Sequence, residues 1–294
     1  MEKSALFQFL KRKAGYKENE TRLRPSAICI GAQKGGTTAL HNYISIHPRV
    51  IQPAEKEIDF FNCNERYSRG IDFYHSKFPL NTSENKITLD ITPGYLGGAK
   101  RAAKRIFDYN EAIRLIVLLR DPTTRAYSAW QMYRKRCETT RDWFSDWMKI
   151  CNPDIEEAHF IKRPDNFGLD FYEDMIFEIE VLNQAKQIEM PILSLGMYHQ
   201  ALKYYYDLFA SEQILVISSE EFKENTPNEI SKIETHIGLE PHHWNPNDLE
   251  PQFAGGYSDK ISQKASQLLN SFYRPQNLAL FDLLQTDFHW DSAA

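Results

Sequence analysis

Short apolar runs alternate along the chain with segments in which apolar residues recur at helical spacing. Four runs, each bounded by turn or helix-start residues, are typical of buried strands. They are residues 27–30, 87–90, 115–119 and 214–218. The helical patterns between them include residues 99–107, 125–133 and 199–209. Strands that alternate with helices predict an α/β fold, with a parallel sheet flanked by helices on both faces.

A glycine-bearing loop follows the first predicted strand, in the sequence GAQKGGTTAL of residues 31–40. A helix opening at Thr37 or Thr38 places unpaired backbone N–H groups and the positive end of its dipole at the loop, which favours a bound phosphate. The spacing nearly fits the nucleotide loop G-x-x-x-x-G-K-[ST], but Thr37 takes the lysine position and Lys34 lies inside the loop. Lys34 is therefore expected to contact a shorter terminal group. A tight strand-to-helix turn is the alternative.

A second anion site is predicted where the apolar strand 115–119 ends. The strand delivers Arg120 to its carboxyl end, Pro122 opens the next helix, and Ser128 lies about two turns inside it. A guanidinium gives bidentate hydrogen bonds to a phosphate, and a serine hydroxyl adds a neutral donor. A local ion pair between Arg120 and Asp121 is the alternative.

A candidate general base lies in the segment AEKEIDFFN of residues 54–62. A carboxylate held against an apolar wall becomes more basic, so Glu57 beside two phenylalanines fits that role. An exposed turn before a buried aromatic pair is the alternative. Asp59 is the reserve candidate, and His41 and His47 are weaker ones.

The two anion motifs lie about 85 residues apart, each at a strand-to-helix junction. GAQKGGTTAL resembles the 5′-phosphosulfate loop, and LLRDPTTRAYSAW the 3′-phosphate motif, of sulfotransferases that use 3′-phosphoadenosine 5′-phosphosulfate (PAPS). The chain is most similar to the glycan and heparan type, in a bacterial-like soluble form. The resemblance covers roughly residues 26–133 and 192–290. It implies a P-loop-type α/β sheet.

The resemblance also implies an activity: transfer of a sulfuryl group from PAPS to a hydroxyl or amine of a saccharide or small-molecule acceptor by in-line displacement. Adenosine 3′,5′-bisphosphate (PAP) is then the product, and no metal is required. The implied catalytic residues are Lys34, on the sulfuryl group, and Glu57, as the base in a segment similar to K-E-x-x-F-F. The implied donor-binding residues are Gln33, Lys34, Gly35, Gly36, Thr37, Thr38, Arg120, Ser128, Gly256 and Tyr257.

The chain departs from the family pattern at two places. Relatives often carry glutamate-lysine where this chain has Asp90 and Ile91, although Asp90 is still expected at the carboxyl end of its strand. The loop around Gly256 lacks the cations that usually flank it, and Lys260 is a candidate substitute. An acceptor-facing aromatic is implied near Tyr198, with a hydrophobic contact at a helix start as the alternative.

The remaining segments carry weaker signals. Residues 1–24 are expected to form a tail or a short helix, and residues 25–294 a single domain. Within that domain, residues 135–190 diverge from the family and are expected to specify the acceptor. Their acidic residues between 170 and 180 are expected to form a solvated helix face.

Composition limits the partners. Over 294 residues the net charge is −5 and the pI about 6.0, which disfavours binding to nucleic acid or to a long polyanionic glycan. No stretch approaches the roughly 18 apolar residues of a membrane span, so a cytoplasmic location is expected. The four cysteines lack metal-site spacing. Cys29 is expected in the core, and a Cys137–Cys151 disulfide is a minor alternative.

Two other functions remain open on the sequence alone. A P-loop kinase would bind ATP with Mg²⁺. It needs a lysine directly after the second glycine of its nucleotide loop, and the corresponding position holds Thr37. A non-catalytic member of the fold would bind nucleotide or a partner, which the missing cations around Gly256 would explain. The acceptor and the oligomeric state are not encoded in any motif.

Overall fold

The computed structural model describes residues 22–81, 85–151, 160–249 and 260–290. Its strands are β1 (Pro25–Gly31), β2 (Thr88–Ile91), β3 (Arg114–Leu119), β4 (Phe160–Ile161), β5 (Gln187–Ile188) and β6 (Ile214–Ser218). The central sheet has the order β2-β1-β3-β6, and all its strands are parallel. β4 and β5 form a separate parallel pair. The predicted parallel sheet is confirmed, with each strand within one or two residues of its predicted bounds.

The helices connect the strands. They are α1 (Thr37–Ile46), α2 (Asn64–Ser68), α3 (Ile71–Ser76), α4 (Gly94–Gly97), α5 (Ala99–Tyr109), α6 (Pro122–Thr139), α7 (Trp143–Cys151), α8 (Phe171–Asn183), α9 (Tyr198–Tyr206), α10 (Ser219–Glu224), α11 (Thr226–His236) and α12 (Gln263–Leu284). Short 3₁₀ turns span Ser194–Gly196, Ser211–Gln213 and Pro246–Leu249. The helices predicted over residues 99–107, 125–133 and 199–209 correspond to α5, α6 and α9, and the helix predicted to open at Thr37 or Thr38 is α1.

Alternation along β3 divides the core between the two faces of the sheet. Val117 and its neighbours two residues away pack with α5 and α9 on one face. Ile116 and Leu118 pack with α1 and α11 on the other. Successive strand residues point to opposite faces, and both faces are covered, so every residue of this strand except Arg114 at its start is buried.

The divergent segment packs into a third core with α6 and α12. Trp130 of α6, Met175 of α8 and Leu269 of α12 belong to this cluster. The expectation of a solvated acidic face is wrong for Asp174 and Glu178, which are buried. Their charges are satisfied inside: Asp174 accepts from Trp130 Nε1 at 2.7 Å, and Glu178 pairs with Arg163.

The cysteines are free thiols. Cys29 lies in the core as predicted. The Cys137–Cys151 alternative is wrong, because the Cys137 sulfur lies 3.6 Å from the Met190 sulfur, whereas Cys151 lies near Cys63 between α2 and α7.

Residues 22–24, assigned from the sequence to a tail or short helix, run alongside the domain. The Leu23 amide donates to the Pro79 carbonyl at 2.9 Å, and the Leu23 side chain is buried. None of the helices in the described ranges is both long and apolar enough to cross a membrane.

Candidate active site

The loop between β1 and α1 lies over the carboxyl edge of the sheet. The Ala32 amide donates to the Leu118 carbonyl at 2.8 Å, and the Gly35 amide donates to the Ala32 carbonyl at 2.9 Å. Gly36, with φ 101°, is the N-cap of α1, and no side chain caps this end in the part of the chain that the structure describes. The first-turn N–H groups of α1 are therefore available to an anion.

Gly35 fits this loop because β3 passes directly beside it. A Cβ atom there would lie 2.5 Å from the Leu118 carbonyl oxygen. On the other side, the hydroxyl of Ser219, at the start of α10, donates to the Gly35 carbonyl. The loop is thus fixed between the ends of β3 and β6.

The other loop residues predicted to bind the donor lie around the start of α1. The Tyr133 hydroxyl donates to Gln33 Oε1 at 3.2 Å, which orients the Gln33 amide. Thr37 is buried, whereas Thr38 is exposed and its hydroxyl accepts a hydrogen bond from Lys56 Nζ at 3.2 Å.

Lys34 lies among cations. Burial lowers the pKa of Lys34, and the nearby guanidinium groups of Arg120 and Arg136 lower it further, while Glu57 acts in the opposite direction. The positive charge around this lysine therefore exceeds the negative charge. A bound multivalent anion would neutralise that excess, so the side chains present fit a phosphorylated ligand.

The two predicted anion motifs meet at Arg120. Its Nη1 donates to the Lys34 carbonyl at 3.4 Å, and its Nε donates to Thr124 Oγ1 at 3.0 Å. Thr124 and Ser128 are four residues apart on α6 and share one face of that helix. Ser128 thus lies about one turn after Thr124, on the face of α6 that Arg120 contacts, and its side chain is buried. Its role in binding an anion stays a prediction.

Asp121 is the N-cap of α6 and not an ion-pair partner of Arg120. Its carboxylate accepts from the amides of Thr123 at 2.7 Å and Thr124 at 3.3 Å. Its own amide donates to Glu220 Oε1 at 3.1 Å, which connects the end of β3 to α10. The local ion-pair alternative for this motif is excluded by this geometry.

Glu57 lies on the loop between α1 and α2, at φ 63°. Its side chain is 47% exposed, and Lys56 Nζ donates to its Oε1 at 2.7 Å. The expected apolar wall is wrong, because Phe60 and Phe61 turn into the core and leave the carboxylate at the surface beside an ammonium. Its assignment as a base stays a prediction.

The reserve candidates for the base have other surroundings. Burial raises the pKa of Asp59, which accepts from Asn62 Nδ2 at 2.8 Å. Burial, with Lys56 nearby, lowers the pKa of His41 on α1. His47 follows the opposite end of α1, where its Nε2 lies 3.8 Å from Glu234 Oε1, so it does not reach the loop.

Two predicted positions face inward. Asp90 lies at the carboxyl end of β2 as expected, but its side chain is fully buried and accepts hydrogen bonds from Tyr74, Thr92 and Tyr95. Tyr198 is also buried, and its hydroxyl donates to the Arg120 carbonyl at 2.8 Å, so it supports the anion site and does not face an acceptor.

Gly256 and Tyr257 lie outside the described residues. Lys260, the candidate substitute cation, is exposed. Among the residues that the structure does describe, no group of three or more His, Cys, Asp or Glu side chains could hold a metal ion.

Three supporting residues were not predicted: Ser219 and Tyr133 contact the glycine loop, and Glu220 accepts from the Asp121 amide at the end of β3. A signal for Ser219 and Glu220 was present, because both directly follow β6 and ligand-site residues of parallel sheets cluster at the carboxyl ends of strands. Tyr133 could not be distinguished from a core aromatic on helical spacing alone.

The family described as "Sulfotransferase domain" matches residues 24–254. Heparan sulfate glucosamine 3-O-sulfotransferase 3B1 of Homo sapiens is 26% identical over 288 residues, which cover 91% of this chain and 65% of that protein. Membrane-associated sulfotransferase kil1 of Dictyostelium discoideum is 25% identical over 320 residues, covering 91% and 67%. Heparan sulfate glucosamine 3-O-sulfotransferase 5 of Mus musculus is 40% identical over 104 residues, covering 35% and 29%.

The chain therefore spans from under a third to about two thirds of the length of these relatives. A crystal structure of a sulfotransferase from Alicyclobacillus acidocaldarius superposes with a TM-score of 0.66 at 22% identity, covering 91% of this chain and 98% of that one. This likeness bears on the fold, and it agrees with the parallel sheet and its flanking helices.

Proposed function

The chain belongs to the sulfotransferase domain family, and on that premise we propose that it transfers a sulfuryl group from PAPS to a hydroxyl or amine of a saccharide or small-molecule acceptor. One observation carries the proposal: the hydrogen bond from Arg120 to the Lys34 carbonyl joins two anion-binding motifs 86 residues apart in the sequence. A donor with a phosphate at each end of one ribose needs two such sites side by side.

The chain's own residues hold the two ends of the donor. The first-turn amides of α1 and the Lys34 ammonium bind the 5′-phosphosulfate, since both supply positive charge at the glycine loop. Arg120 and Ser128 bind the 3′-phosphate, which is the group that separates this donor from ATP. Gly256 and Tyr257 are proposed donor contacts from the family resemblance alone.

When bound, PAPS supplies a sulfuryl group on a good leaving phosphate. Lys34 and the amides of α1 stabilise the charge that grows on the leaving oxygen, an electrostatic effect worth several kcal/mol in such sites. Glu57 takes the proton of the acceptor hydroxyl or amine, and its surface position leaves it open to an acceptor that arrives from solvent.

The names of the relatives point to a saccharide acceptor, because two of them are called heparan sulfate glucosamine 3-O-sulfotransferases. The net charge of −5 favours a short or weakly charged acceptor over a long polyanion. Residues 135–190 remain the proposed acceptor-specifying segment.

The experiment is a transfer assay with isotopically labelled PAPS and a panel of amino sugars, glucosamine-containing oligosaccharides and small alcohols, with sulfate incorporation read by mass. We expect incorporation into at least one acceptor. Glu57→Gln should lower kcat by about 10²-fold or more, the usual contribution of a general base, with PAP affinity unchanged.

Glu55→Gln is the matched control. Glu55 lies two residues away, is similarly exposed, and pairs with Lys77 and Arg66 away from the loop. Its kcat should stay within about threefold of wild type, because surface ion pairs contribute little. No transfer to any acceptor would contradict the proposed function, and equal activity of Glu57→Gln and wild type would contradict the assignment of the base.

A further inference from the structure

Lys56 bridges the predicted base and the anion site. Its Nζ donates to Glu57 Oε1 at 2.7 Å and to Thr38 Oγ1 at 3.2 Å. Thr38 belongs to the first turn of α1, where the uncapped amides lie. The ammonium of Lys56 is therefore at the boundary between the loop that is proposed to hold the sulfuryl end of the donor and the carboxylate that is proposed to take the acceptor proton.

The backbone fixes this position. Glu57 and Asp59 both adopt left-handed φ values, 63° and 51°, and the intervening Ile58 is buried. The buried Ile58 thus anchors the segment that carries Glu57 and Lys56. The Lys56 side chain is only 25% exposed, and its Nζ reaches Thr38 of α1.

The neighbouring strand end supplies no competing cation. Asp90 and Ile91, which close β2, are buried, and the carboxylate of Asp90 is occupied by three hydroxyl groups. On the side of the glycine loop where Glu57 lies, the positive charge beside Thr38 is therefore contributed by Lys56.

Resting on the proposed function, we propose that Lys56 is a second catalytic cation that binds the transferring sulfuryl group. When the donor binds, the Lys56 ammonium gives up its hydrogen bond to the Thr38 hydroxyl and donates to a sulfuryl oxygen instead. It keeps its hydrogen bond to Glu57, which holds that carboxylate beside the sulfur atom. During transfer the acceptor oxygen or nitrogen bonds to sulfur as the bond from sulfur to the phosphate oxygen breaks. The acceptor proton goes to Glu57, and Lys56 remains protonated throughout.

The first test is a binding measurement without acceptor, comparing Lys56→Gln with wild type for PAPS and for PAP, which lacks the sulfuryl group. Loss of a charged hydrogen bond to the sulfuryl group should weaken PAPS binding by about tenfold. PAP binding should stay within about twofold. An unchanged ratio of the two affinities would overturn the proposal.

The second test is the slow hydrolysis of PAPS by the enzyme without acceptor, which does not need Glu57 to deprotonate an acceptor. If Lys56 contacts the sulfuryl group, Lys56→Gln slows both hydrolysis and transfer, and Lys56→Arg restores part of each. If transfer falls while hydrolysis keeps its wild-type rate, Lys56 acts only by positioning Glu57, and the direct contact is overturned.

Lys77→Gln is the matched control. The Lys77 side chain is 21% exposed and its Nζ lies 2.9 Å from Glu55 Oε1, so it is a lysine of similar burial that pairs with Glu55 instead of Glu57. Lys77→Gln should change neither the ratio of PAPS affinity to PAP affinity nor the rates of hydrolysis and transfer. If the wild-type protein does not bind PAP, the proposed function is contradicted. If wild type binds PAP and Lys56→Gln behaves like wild type in both tests, only the role of Lys56 is contradicted.

Discussion

The carboxylate of Asp90 lies in the interior next to the site and accepts hydrogen bonds from Tyr74 and Tyr95 at 2.8 Å and from Thr92 at 2.6 Å. Burial raises its pKa from 3.8 to about 6, the three hydroxyl donors oppose the shift, and the charge of Asp59 adds to it. Burial outweighs three hydrogen bonds here because the charged form is removed from water.

This raised pKa makes stability depend on pH. The folded state holds the Asp90 proton up to about pH 6, while the unfolded chain releases it near 3.8. The resulting stabilisation is full below about pH 4 and is lost as the pH rises through 6. Relative to Asp90→Asn, wild type should lose about 3 kcal/mol of unfolding free energy over that window.

Urea unfolding followed by circular dichroism between pH 4 and 7.5 measures this difference. Asp207→Asn, at an exposed aspartate paired with Lys203, is the control and should follow wild type throughout. Parallel curves for wild type and Asp90→Asn would contradict the role of burial at this site.

Single residues also show where prediction from sequence reached its limit. Lys34 and Arg120 were each predicted to follow a parallel strand, and the structure places both after their strands, joined by a hydrogen bond from Arg120 to the Lys34 carbonyl. Asp90 and Tyr198 also lie at strand or helix ends, yet both are buried. Spacing gives the position of a residue along an element, but packing of neighbouring aromatics decides whether its side chain reaches solvent.

At the scale of elements, α6 connects the anion site to the third core. Asp121 caps its start, Ser128 lies one turn after Thr124 on the same helix face, and Trp130 and Tyr133 pack into the interior. The strands and the glycine loop were predictable because short apolar runs and turn residues encode them locally. The β4–β5 pair was not predicted, since two-residue strands carry no periodic signal.

Asp121→Ala tests the coupling between this cap and ligand binding. Loss of an N-cap should reduce the unfolding free energy by about 1 kcal/mol, and PAP affinity should fall several-fold because Arg120 precedes the cap. Asp170→Ala is the matched variant: Asp170 caps α8 through the amides of Tyr172 at 2.8 Å and Glu173 at 3.2 Å, away from the site.

Both variants should lose similar stability in thermal or urea unfolding, and only Asp121→Ala should bind PAP more weakly in calorimetry. Equal PAP affinity in the two variants would show that α6 does not need its cap to present Arg120.

At the scale of the whole molecule, a protein of net charge −5 concentrates positive charge at one edge of its sheet. Burial lowers the pKa of Lys34, and Arg120 and Arg136 lie close enough to lower it further. The ends of β1, β3 and β6 all help to hold the loop that carries this lysine. Under the proposed function, the overall charge disfavours a long polyanionic acceptor, while the local cluster favours an anionic donor.

Both anion sites are proposed to bind one nucleotide, and isothermal titration calorimetry with PAP and adenosine 5′-monophosphate tests this most directly. Wild type should bind PAP about 10- to 100-fold more tightly, because only PAP reaches Arg120 and Ser128 with a 3′-phosphate. Arg120→Ala should lose most of that preference while keeping its circular dichroism spectrum. Equal affinity of wild type for the two nucleotides, or no binding of PAP, would contradict the account.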